Sequence, residues 1–127
     1  MARACYSHLG GALSVAVCDR LVDDRIVDAL VRGQIGHVHT LNHPLLRALA
    51  ITELPAGSGP AVRGCLDWTE GAPHLAGRLG SAILSALLDQ TWLLRRPKDR
   101  ALNVTDLGNA RLDGLGVTLG AHDSRAA

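Results

Sequence analysis

Residues 74–89, His-Leu-Ala-Gly-Arg-Leu-Gly-Ser-Ala-Ile-Leu-Ser-Ala-Leu-Leu-Asp, repeat imperfectly a stretch that begins 66 positions earlier at His8. At that offset His8 meets His74, Leu9 meets Leu75, Gly11 meets Gly77, Leu13 meets Leu79, Ala16 meets Ala82, Leu21 meets Leu87 and Asp23 meets Asp89. Apolar residues at 75, 79, 82, 83, 86 and 87, and at 9, 13, 16, 17 and 21, follow the period of an amphipathic helix. Two such helices can bury their stripes against each other. The chain therefore reads as one unit written twice.

A chain of 127 residues is about one domain long, and at this size roughly two-thirds of the unfolded surface is buried without staples. Its apolar content of 47% comes from Leu, Ala and Val, with no Phe, which favours close helix packing. A net charge of +1 excludes a globally basic nucleic-acid binder. Three cysteines, an odd number, together with no apolar run long enough to span a membrane, read as a reduced, cytoplasmic chain with no membrane partner.

Taken in order, residues 2–24 suit one long helix interrupted only by Gly10-Gly11. Residues 25–40 suit a hairpin around Arg32-Gly33-Gln34-Ile35-Gly36, and a short helix follows from Asn42, its N-cap, to Ala50. Residues 54–60 concentrate Pro, Gly and Ser as a linker. Beyond it, residues 61–69 suit a helix, the repeat helix runs from Pro73 to Asp89, and residues 92–105 suit a second hairpin. Asp106 would cap a last helix, and the tail from Gly120 would fray. The expected fold is α+β and mainly helical: two tandem winged-helix-like units (helix, β-hairpin, helix) packed as an internal pseudo-repeat. The units are 1–53 and 61–119, joined by the 54–60 linker and followed by a 120–127 tail.

Four blocks carry a resemblance: Cys5-Tyr-Ser-His-Leu-Gly-Gly, Cys65-Leu-Asp-Trp-Thr-Glu70, Pro73-His-Leu-Ala-Gly-Arg-Leu-Gly80 and Leu102-Asn-Val-Thr-Asp-Leu-Gly108. Together they resemble the region that follows the DNA-binding head in a group of bacterial ArsR-type winged-helix transcriptional regulators. The resemblance covers residues 2 to 117, with residues 65–80 the specific part. The chain departs from the pattern at Ser7 and at Gly71-Ala72, where two Arg would stand. The resemblance implies a regulatory module that senses a small molecule or a metal and dimerises. Met1 stands four residues from Cys5, so a module without the DNA-reading head is expected.

Cys5, His8, Cys65 and His74 are the candidate metal ligands. Two thiolates and two imidazoles suit a tetrahedral site for zinc or another thiophilic metal, and Cys5 and His8, three apart, would share a helix face. His37, His39 and His43 form a second cluster and, with Tyr6 and Trp68, are candidates for ligand contact. Asp67 reads as a helix-end partner, and Asp19, Asp23, Asp24 and Asp28 as a solvated acidic face. Arg95, Arg96, Lys98 and Arg100 surround the second hairpin tip, as the wing of a winged helix places cations against phosphate. With those cations confined to one wing, DNA binding by the chain alone is expected to be weak, or to act only through a full-length relative.

The favoured function is thus a ligand- or metal-sensing and dimerisation module, not an enzyme. The alternatives are a small Cys/His-dependent enzyme or a head-less ligand-sequestering protein. A homodimer is expected, because helices lined with Ala and Gly in so small a chain leave apolar surface to cover.

Overall fold

The computed structural model describes residues 2–5, 8–67, 70–96, 99 and 101–117. The elements in chain order are β1 (Ala2–Cys5), β2 (His8–Gly10), α1 (Ala12–Asp23), β3 (Ile35–Gly36), α2 (Pro44–Ala48), β4 (Val62–Asp67), β5 (Ala72–Ala76), α3 (Gly77–Asp89), β6 (Leu93–Arg95), β7 (Ala101–Val104) and α4 (Asp106–Gly114). One antiparallel sheet has the strand order β2-β1-β7-β6 and a second the order β3-β4-β5, with a separate antiparallel bridge between Val27 and Val38.

The fold is α+β, but it is not the mainly helical tandem of winged-helix-like units expected. Among the described residues helix accounts for 36% and strand for 26%. The difference lies in two places. Residues 2–5 and 8–10 form a strand pair where the first half of a long helix was expected, and residues 62–67 and 72–76 form a strand pair where a helix was expected. Both strand pairs obtain partners far away in the chain, β1 from β7 and β4 from β3, and such pairing overrides local helix preference.

What recurs at the 66-residue offset is a strand pair followed by a helix. Cys5 stands opposite His8 in β1–β2, and Cys65 stands opposite His74 in β4–β5. Each strand pair then turns into its helix at a glycine of positive φ, Gly11 at 88° and Gly77 at 89°, a conformation that side chains with a Cβ resist. The recurrence continues beyond the identities. Arg25 (φ 60°) and Thr91 (φ 59°) follow the two helices at equivalent positions, and Ile26 and Trp92 close the turn onto the Leu21 and Leu87 carbonyls. The Val27–Val38 bridge matches the Leu93–Val104 pair.

The two halves are interlocked. β1 pairs with β7 and β3 with β4, while α3 packs on β2 and α1 on β5. Leu13, Leu21, Leu45, Leu46, Leu79, Leu87 and Leu93 are fully buried in one shared core, each worth roughly 1.5–3 kcal/mol of apolar transfer. Residues 54–60 carry no helix or strand. His43, not Asn42, caps α2, its Nδ1 accepting from the Leu45 N–H, and Thr105, not Asp106, caps α4. Among the described residues no helix is long and apolar enough to cross a membrane.

Candidate functional site

The recurrent register brings the chemistry together. In a strand, side chains two apart share a face, and residues directly opposite on the neighbouring strand share it too. Cys65 and Asp67 on β4 therefore face the same way as His74 on β5. Interlocking of the halves brings Cys5, at the end of β1, to the same place. The Cys5 and Cys65 sulfurs and a ring nitrogen of His74 all lie within 4.8 Å of one another. Both thiols are half-buried and His74 is fully buried. His8 is fixed by its backbone in β2 opposite Cys5, and its side chain lies outside the described residues.

Behind this cluster stands Asp67, which the sequence reads as a helix-end partner and not as part of the site. Its side chain and that of His74 are both 0% exposed, and Oδ2 lies 2.9 Å from His74 Nδ1. The same oxygen accepts the Gly11 N–H at 2.5 Å, from the junction of β2 and α1, and Oδ1 accepts the Glu70 N–H at 3.2 Å. Read as a helix, the Cys65-Leu-Asp67 spacing places the carboxylate off to one side. Read as a strand, it places Asp67 beside Cys65 and within reach of His74.

The arrangement offers two kinds of chemistry. Two thiols and an imidazole whose other nitrogen is held by a carboxylate match the donor set of a soft metal and its carboxylate–histidine support. Thiol, imidazole and carboxylate in sequence also match an activated nucleophile with its base and orienting group. An open cavity of about 480 Å³ is lined by Arg32, Arg63, Cys65 and Leu66 among others. The third cysteine takes no part. Cys18 is buried within α1, and burial, with a smaller contribution from Asp19, pushes its thiol up to about 12.

The second histidine cluster divides. His37 Nδ1 and His39 Nε2 lie 3.0 and 2.6 Å from the two oxygens of Asp28, whereas His43 is buried with Nε2 2.7 Å from Asp24 Oδ2. Asp24 and Asp28 are thus histidine partners, not a plain solvated face. The hydrogen bond from His43 holds the Asp24 carboxyl below its ordinary range, and those from His37 and then His39 do the same for Asp28. Among the described residues, the group that could hold a metal ion is Cys5, Cys65 and His74.

Arg95 and Arg96 are exposed at the end of β6, and Arg96 lies 3.6 Å from Asp99. Tyr6, Trp68, Lys98 and Arg100 lie outside the described residues.

The chain is similar to part of a curated protein. An uncharacterised HTH-type transcriptional regulator of Bacillus subtilis (strain 168), YdfF, is 32% identical over 119 residues, which cover 84% of this chain and 47% of that protein. The likeness is to a protein described as an HTH-type transcriptional regulator. It spans about half the length of that relative. No protein-family model matches the chain, and no solved structure matches it.

Proposed function

We propose that this chain is the effector-sensing and dimerisation region of an ArsR-type transcriptional regulator, and that its effector site is a soft-metal centre. The observation that carries the reading is the convergence of Cys5, Cys65 and His74 from both halves of the chain. Ligands about 2.0–2.3 Å from a tetrahedral zinc ion stand somewhat under 4 Å apart, so a small inward movement of the three side chains would suffice. His8 is the proposed fourth ligand, since its backbone stands opposite Cys5 as that of His74 stands opposite Cys65. Thiolate and imidazole together select zinc or another thiophilic ion over hard cations. A nucleophile would need one thiol beside the imidazole; two thiols favour the metal. The homology to a regulator points the same way.

On this reading the chain is a cytoplasmic homodimer that touches DNA only weakly by itself. Sedimentation that shows a monomer at high micromolar concentration contradicts the dimer.

The test of the centre is a zinc or mercury(II) titration of the full chain against a competing chelator. The wild type should take up one ion per chain, and Cys5→Ser and Cys65→Ser should each lose at least about tenfold in affinity. Cys18→Ser should not, since that thiol is buried in the core. Equal binding by the wild type and Cys65→Ser overturns the assignment.

A further inference from the structure

Asp67 has a place in the fold that a simple support for His74 would not need. Its Oδ2 accepts from two donors that belong to opposite halves of the chain, the His74 ring at 2.9 Å and the Gly11 N–H at 2.5 Å. Its other oxygen is held by the Glu70 N–H at 3.2 Å, which opposes rotation of the carboxylate. Gly11 is the N-cap of α1 and takes a φ of 88°, so its amide sits at the point where β2 turns into the helix. In the first half, the position two after Cys5 is Ser7, so the Cys-x-Asp arrangement occurs only in the second half.

From this we infer that Asp67 is the positioning residue of the metal centre and the link through which occupancy of that centre reaches the start of α1. The inference rests on the metal reading above. With Nδ1 turned to Asp67, His74 would meet the metal through Nε2. A metal on Nε2 withdraws electron density from the ring, which makes Nδ1–H a stronger donor to the carboxylate. Because Oδ2 is shared, the density drawn toward His74 is lost to Gly11, and the Gly11–Asp67 hydrogen bond weakens as the His74–Asp67 bond strengthens. The carboxylate cannot answer by swinging, since Glu70 holds its far oxygen. A chemical event at the metal centre is thereby felt at the backbone where α1 begins.

The experiment is an amide-resolved NMR titration of the full chain with zinc chloride, with hydrogen exchange measured at each end point. In the wild type the Gly11 amide proton should move upfield and exchange faster when zinc is bound, while the Leu45 amide, held by His43 outside the site, stays in place. In Asp67→Asn, whose single amide oxygen cannot face both the His74 and Gly11 side and the Glu70 N–H, zinc affinity should fall roughly 10- to 100-fold. At saturating zinc its Gly11 amide should no longer respond. Should Asp67→Asn fail to fold, the wild-type titration alone decides. Zinc binding that Cys5→Ser weakens, with a Gly11 amide that does not move, overturns the link and leaves the metal centre standing. A wild type that binds no zinc overturns both. An Asp67→Asn protein that binds zinc as tightly as the wild type overturns the positioning role.

Discussion

Replacing Asp67 with alanine is expected to destabilise the protein by about 3–5 kcal/mol, the scale on which a buried polar pair is broken by removing one partner. The substitution takes away the carboxylate that the His74 ring and the Gly11 N–H share in the interior, and each buried donor left without its acceptor costs roughly 1–3 kcal/mol. It also opens a small void in a fully buried spot. No gain offsets these losses, because neither His74 nor the Gly11 backbone can turn toward water without moving β5 or α1. Urea denaturation of the two proteins measures the effect. A loss below about 1 kcal/mol would mean that Asp67 only fills space.

Gly108→Ala is expected to cost about 3 kcal/mol, at the upper end of what overpacking does. Alanine is intrinsically the better helix former by up to about 1 kcal/mol, and Gly108 lies inside α4, so propensity alone predicts a gain. Packing decides the sign. A Cβ at position 108 would lie 2.2 Å from the Trp92 carbonyl oxygen and 2.9 Å from its carbon, and both are backbone atoms that cannot step aside. α4 is pinned at that point. The Thr105 N–H donates to the Trp92 carbonyl at 3.0 Å, and Thr105 Oγ1 caps the helix by accepting the Gly108 N–H at 2.9 Å. The added methyl must push the helix off β6 and loosen these bonds, lowering the melting temperature by roughly 10 °C for a chain of this size. An unchanged or raised melting temperature would show that α4 docks differently.

Gly108 also shows what a motif means physically. Leu102-Asn-Val-Thr-Asp-Leu-Gly108 is recognisable as a block in the sequence, and the structure gives its reason: a strand, a threonine cap and a glycine where a helix crosses a carbonyl.

Other parts of the fold were less legible. The identities between residues 8–23 and 74–89 mark the Gly11 and Gly77 junctions, but they say nothing of what precedes them. Residues 2–5 look helical because their strand partner, β7, lies near the far end of the chain, and no local pattern reveals it. The equivalence of Arg25 with Thr91, or of Ala50 (φ 59°) with Gly116 (φ 76°), lies in backbone geometry and leaves no common letter.

The site was half legible for the same reason. Cys5, His8, Cys65 and His74 could be chosen by residue type, but a helix places Cys5 and His8 side by side on one face, whereas the strands place them across from each other. Asp67 was hidden by the same misreading. Once residues 62–67 are a strand, its alternation with Cys65 points to His74. Asp24 and Asp28 looked like solvent-facing charges because their histidine partners come from residues 37–43, brought alongside by the bridge between Val27 and Val38.

Zinc-edge X-ray absorption of the zinc-loaded protein measures most directly whether a metal is held jointly by both halves of the chain. Two sulfur neighbours at about 2.3 Å and nitrogen neighbours at about 2.0–2.1 Å are predicted, falling to one sulfur in either Cys5→Ser or Cys65→Ser. A coordination shell of oxygen and nitrogen alone, or a spectrum that neither substitution changes, would contradict it.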